Sequence, residues 1–225
     1  YWLRCRWSVT SGPPATRGAM REGVSSRDWA SVRHAFGPAT DLPALFDTLA
    51  SAHDAAWDEA FGTLSNLINH QGSVYDASVV AVPYLVRLLD TVDSAQARKV
   101  LSLIGALGVS YAYDYFRFAF WFVDEATAAN DRAPAPEPPI AVDARTAIAA
   151  HTPVFLELLK GPDAETAGSA ARVLELSSTE RPTIHDTVIE ILPRTIDPGM
   201  RAVLLSLELT ACRPDQRRAA ARALL

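Results

Sequence analysis

Cysteine is nearly absent from this chain. Two residues, Cys5 and Cys212, stand far apart in a 225-residue sequence. That excludes a disulfide framework and a cysteine-based zinc site, and it suits a reducing, cytoplasmic setting. Lysine is scarce as well, occurring only at 99 and 160 against nineteen arginines. Such a bias marks a GC-rich, bacterial coding sequence and says nothing about fold. Excess positive charge is missing: the net charge is -5 and the pI is near 5.5, which argues against nucleic acid as a partner. The longest run free of Asp, Glu, Lys, Arg and His, Val100 to Tyr113, falls short of the roughly 20 apolar residues that a helix needs to cross a bilayer. Arg4 and Arg6 interrupt the apolar N-terminus, so it does not read as a signal peptide. Neither GxxxxGK(S/T) nor GxGxxG occurs, and with them go the common phosphate-cradling loops. No cofactor, metal or membrane contact is expected.

What is present begins with an uneven charge distribution. Residues 1–40 carry six Arg against Glu22 and Asp28, a net of +4, whereas residues 41–110 carry eight acids against Arg87, Arg98 and Lys99, a net of -5. An acidic surface of this kind favours basic or neutral partners when it is more than a solvated helix face. Residues 1–25 are expected to form a tail, disordered or foreign to the native chain. The end of the sequence, QRRAAARALL, reads as the middle of a helix.

The central region repeats. LPALFDTLASAHDAAWDEAFGTLSNL, from Leu42, lies over VPYLVRLLDTVDSAQARKVLSLIGAL, from Val82, at an offset of 40 without a gap. Pro43 falls on Pro83, Leu45 on Leu85, Leu49 on Leu89, Phe61 on Leu101, Leu64 on Ile104 and Leu67 on Leu107. Within each unit the apolar residues recur at three- and four-residue steps, the helical period. A polar segment, ASAHDA or DTVDSA, splits each unit into two helices. A third copy starts at His151, after an insertion covering residues 109–142, and a shorter fourth starts at Thr183. A fifth opens at Pro214. Upstream, SSRDWASVRHAF places Trp29, Val32 and Phe36 on one face with Ser26 as an N-cap, which predicts a capping helix. The fold class is therefore all-α: four to five helix pairs over residues 26–225.

Units of about 40 residues, each a helix pair with a proline inside the first helix and a D/S-rich turn before the second, resemble HEAT repeats. The segment HQGSVYDASVVAVPYLVRLL, residues 70–89, is similar to an HQGxxYxAxxxAVPFLxxLL-like segment in a group of small bacterial HEAT-repeat proteins. That similarity covers residues 34–108. It implies a right-handed α-solenoid with a concave side and a binding role, and it brings no catalytic residue with it. A helix pair of this type cannot bury its apolar faces alone, so neighbours stack.

The same segment contains the densest group of polar candidates. Gly72 is placed to be the left-handed residue that ends the second helix of unit one. Ser73 then caps the next helix, with Asp76 three residues on. Thr183 with Asp186, and Asp143, are expected to do the same for later units. Capping does not require His70, Gln71 or Tyr75, and these form a candidate recognition patch. The insertion adds YAYDYFRFAFWFV, residues 111–123, with eight aromatics; Tyr111, Tyr113 and Trp121 are candidates for an exposed aromatic ridge. The run NDRAPAPEPPIAVD after it predicts an extended linker. His53 and Asp58 are spaced badly for a helical metal pair, and Asp54 is expected to open a charged helix. His34, His53, His70, His151 and His185 lie beside no nucleophile motif. The function expected is a non-enzymatic interaction module that binds a protein or peptide through second-helix residues such as Asp58, Asn66, Arg98, Lys99 and Arg172. The alternative is a HEAT-like DNA glycosylase, which needs a basic groove with aromatics and a carboxylate.

Overall fold

The structure is a computed structural model that describes residues 27–51, 54–109, 138–177 and 181–211 (backbone alone at 177, 181 and 209–211). It is mostly helical. A minimal antiparallel pair, β1 (Arg33–His34) and β2 (Gly37–Pro38), precedes α1 (Leu42–Ser51) and α2 (Asp54–Ile68). A 3-10 turn at His70–Gly72 leads into α3 (Asp76–Leu88) and α4 (Ser94–Gly108). Then come α5 (Pro139–Ala149), α6 (Thr152–Leu159), α7 (Ala164–Ser177), α8 (Arg181–Ile191), a 3-10 turn at Leu192–Arg194, and α9 (Pro198–Ala211).

Consecutive helices pack as pairs: α1 on α2, α3 on α4, α6 on α7, α8 on α9. Each pair also meets the next, through α1 with α3, α3 and α4 with α5, α4 with α7, and α7 with α9. The burial pattern follows from position in this series. At one end α1 buries a single stripe, Leu42, Phe46 and Leu49. Helices α3 and α4 have neighbours on both sides and are buried on more than one face, with Ala77, Ala81, Val82, Leu85 and Leu88 in α3 and Val100, Leu101, Ile104 and Leu107 in α4. A one-stripe helix lies at an edge and a two-faced one lies inside.

The second helix of each pair starts on an aspartate. Asp93 caps α4: its Oδ1 accepts from Gln96 N–H (2.9 Å) and its own N–H donates to Gln96 Oε1 (3.2 Å). Asp163 precedes α7, accepting from Glu165 N–H (3.2 Å) and from the Thr166 hydroxyl (2.6 Å). Asp197 precedes α9 and accepts from Met200 N–H (2.6 Å). Each satisfies backbone donors that the first helical turn leaves free. Asp54 opens α2, with φ 58.

Several expectations are corrected here. Residues 27–38 form turns and the β pair rather than a capping helix. Asp28 accounts for this: its Oδ1 accepts from Ala30 N–H and its C=O accepts from the Ser31 hydroxyl, so local bonds replace a helical first turn. Trp29 and Val32 are buried as the period suggested, but Phe36 is 61 % exposed. Ser26, the expected cap, lies outside the described residues. The prolines are not equivalent either. Pro83 lies inside α3, whereas Pro43 and Pro153 are the second residues of α1 and α6, where a missing N–H costs nothing. Asp143 lies inside α5 and Thr183 inside α8, so neither caps. Residues 139–143 of the expected extended linker belong to α5, which Pro139 opens. The tail at 1–25, residues 212–225 and the aromatic segment lie outside the described residues.

Candidate functional site

The turn between α2 and α3 is a structural corner. Helix α2 leaves its last carbonyls without intrahelical donors. Ala35 N–H, from the β1–β2 tip, donates to Leu67 C=O (3.0 Å). The buried Ser78 hydroxyl donates to Ile68 C=O and accepts from Tyr75 N–H (2.7 Å). The cap of α3 is therefore at Tyr75, with Ser78 closing it; Ser73 does not cap, because the helix begins only at Asp76 and leaves Ser73 two residues before the cap. Gly72 is left-handed (φ 79), as the sequence suggests, and Gln71 is left-handed too (φ 50), a conformation that costs a residue bearing a Cβ about 1 kcal/mol or more.

Gln71 is exposed at this corner, and His70 and Tyr75 are half-buried. His70 Nδ1 lies 2.9 Å from Asn66 Oδ1, one helical turn earlier. The exposed Phe36 ring meets His70 edge-on at 4.9 Å. On the other side of Phe36, His34 accepts from Phe36 N–H through Nδ1 (3.0 Å) and contacts Asp41 Oδ1 through Nε2 (3.1 Å). Both His34 nitrogens are thus engaged in holding the β1–β2 tip. Among the described residues, no three His, Cys, Asp or Glu side chains group as a metal site, and no helix is long and apolar enough to cross a membrane.

The second polar group sits nearer the starts of α2 and α4. Lys99 Nζ reaches Asp58 Oδ1 at 2.6 Å and lies 5.8 Å from the Trp57 ring centroid. Asp58 and Lys99 are each near the start of their helix, so the two starts share one end. Both side chains are about half exposed (57 % and 50 %), and such a pair is worth at most about 1 kcal/mol. Arg98 turns the other way, to Glu165 Oε2 (3.1 Å) and Asp163 Oδ2 (3.9 Å) at the start of α7. The Thr166 hydroxyl, chiefly, with the Ser94 hydroxyl and the N–H groups of Glu165 and Thr166, holds the Asp163 carboxyl below the usual range against the opposing effect of burial. Burial raises Asp90. Burial, and then the charge of Arg87, lowers His151.

Between α2 and α4 lies an open groove of about 600 Å³, lined by Phe61, Ser65, Ala95, Arg98, Lys99, Ser102, Leu103 and Ala106. Ala95, Lys99, Ser102 and Ala106 form one stripe of α4, and Phe61 and Ser65 one stripe of α2. The groove exists because the two neighbouring junctions differ. On its other side α4 packs closely on α7, where Gly105 faces Val173 and Leu176. At the offset of 40, the counterparts of Leu101 and Gly105 are Phe61 and Ser65. A stacked Phe61, parallel to Trp57 within 8° at 4.8 Å, and a serine in place of glycine leave a gap where leucine and glycine allow contact. Leu101 is accordingly buried, while Phe61 is only half-buried.

The structure thus brings Arg98 and Lys99 to one groove and leaves His70, Gln71 and Tyr75 at the far end of α2. Tyr111, Tyr113 and Trp121 lie outside the described residues. Arg172 is exposed on α7. Sequence reasoning missed Phe61, Ser65, Ser102 and Ala106 as groove residues; the Phe61/Leu101 and Ser65/Gly105 differences between aligned units were the available signal. Comparison with known proteins gives no match: no family model fits the sequence, and no curated protein or solved structure resembles it.

Proposed function

We propose that the chain is a HEAT-like helical array acting as a non-enzymatic interaction module, and that the groove between α2 and α4 receives a segment of a partner protein. The groove is the observation that carries this reading. Its walls are second helices of adjacent units, the side that a right-handed solenoid turns inward. Its lining combines an aromatic, a leucine, small residues and a few polar groups, the mixture found in recognition clefts. The succession of paired helices, with interior ones buried on two faces, supports the array.

Affinity capture from the native host, read by mass spectrometry, tests the proposal with wild type beside Lys99→Glu. The reversal puts a second carboxylate opposite Asp58 at the groove and leaves the Arg98 ties to α7 alone. A specific partner that wild type recovers and Lys99→Glu loses, with unchanged helicity by circular dichroism, is the expected result. A partner recovered equally by both places the interface elsewhere.

A further inference from the structure

The groove lining has a chemical bias that narrows its occupant. Its charged members are Arg98 and Lys99, and no carboxylate is among the lining residues. The Ser102 hydroxyl lies one turn after Lys99 and makes no hydrogen bond among the described residues. Ser65 donates its proton to Phe61 C=O (2.7 Å). Arg98 is committed to Glu165 and Asp163, so the donors open to a ligand are the Lys99 ammonium, one of whose N–H groups is held by Asp58, and the Ser102 hydroxyl. Beside them lie the apolar surfaces of Phe61, Leu103, Ala95 and Ala106. A ligand that satisfies both presents acceptor oxygens next to an apolar side chain.

Asp58 reinforces this. It stands outside the lining and meets the groove through Lys99, in a contact exposed on both sides. An incoming carboxylate can take the place of Asp58 at Lys99, leaving Asp58 in water. An incoming cation meets the like charge of Lys99. The acids elsewhere on α2, Asp54 and Glu59, repel a highly acidic partner, which favours an isolated carboxylate over an acidic run.

Taking the groove as the binding surface, we propose that its occupant is an apolar peptide segment of a partner protein that carries a carboxylate, which displaces Asp58 from Lys99 while the neighbouring apolar side chain lies against Phe61 and Leu103. The probe is a displayed random-peptide library panned on the full chain, followed by anisotropy titration of the enriched peptides. Enriched peptides are expected to pair Asp or Glu with Leu, Ile or Phe. Changing that acid to its amide should weaken binding up to about fivefold, and Lys99→Gln should do the same without adding to it, as a coupled pair requires. Filling the groove with Ser102→Trp should abolish binding. Enriched peptides without an acid, or with an acid whose amide binds equally well, overturn the carboxylate while loss in Ser102→Trp keeps the groove. Peptides that bind Ser102→Trp as well as wild type, or a library that enriches nothing, overturn the groove itself. Circular dichroism on each variant confirms the fold, and Lys99→Gln, on an exposed side chain, serves if Ser102→Trp does not fold.

Discussion

Ser78 shows how much one side chain holds at the α2–α3 corner. It is fully buried, and its hydroxyl joins the Ile68 carbonyl to the Tyr75 amide. Ser78→Ala leaves both backbone groups without that partner, and chemical denaturation should show a loss of about 1–3 kcal/mol; an unchanged midpoint would mean that the corner is closed by other bonds. His151 carries a pH signature. Because its folded pKa is lowered, the unfolded chain binds the proton first as the pH falls below the usual histidine value of about 6.5. Stability is then lost progressively until the folded imidazole protonates too, and above that window His151 adds no slope. In His151→Gln the denaturation midpoint should fall less than wild type between neutral and mildly acidic pH. An identical fall in both would contradict the burial of this ring. At this scale the sequence was partly legible. Gly72 reads as left-handed because glycine has no Cβ to clash. Gln71 does not, because nothing local marks a glutamine forced into that region by the bonds around it. Ser73 reads as the cap because Ser and Asp three apart satisfy the pattern, whereas the bonds that decide the matter come from Ser78 and from Ala35 on a distant turn.

Among elements, the contrast between the α2–α4 and α4–α7 junctions matters most. A Cβ added at Gly105 would meet Val173 Cγ2 and Leu176 Cδ1 at 3.8 Å each, ordinary contact distance. Gly105→Ala therefore fits, and by removing a glycine from a helix interior it should stabilise by about 0.5–1 kcal/mol, read as a higher thermal midpoint. A destabilised variant would show α4 and α7 closer than described. Helix pairs were legible because the apolar period persists through α1 to α4, and the aspartates at 93 and 163 recur at the same offset of 70 as Pro83 and Pro153. The helix expected at 26–36 failed for a physical reason: Trp29 and Val32 are three apart in a turn as readily as in a helix, and Asp28 prefers its own local bonds. Helix α5 begins earlier than Asp143, the cap expected from the sequence, because Pro139 is preorganised for a first helical position.

For the molecule as a whole, the proposed binding surface is a groove that the order of the helices creates. The cations at 98 and 99 were visible in the sequence, but their opposite assignments were not: Arg98 ties α4 to α7 while Lys99 crosses to α2. Side chains adjacent in sequence point about 100° apart on a helix, so they serve different neighbours. The most direct measurement is calorimetric titration of the captured partner into wild type, Ser102→Trp and a His70→Ala/Tyr75→Ala double variant. If the groove is the binding surface, Ser102→Trp weakens binding by at least about tenfold and the corner variant binds as wild type does. Wild-type affinity in Ser102→Trp, with loss confined to the corner variant, would contradict it and move the interface to the turn after α2.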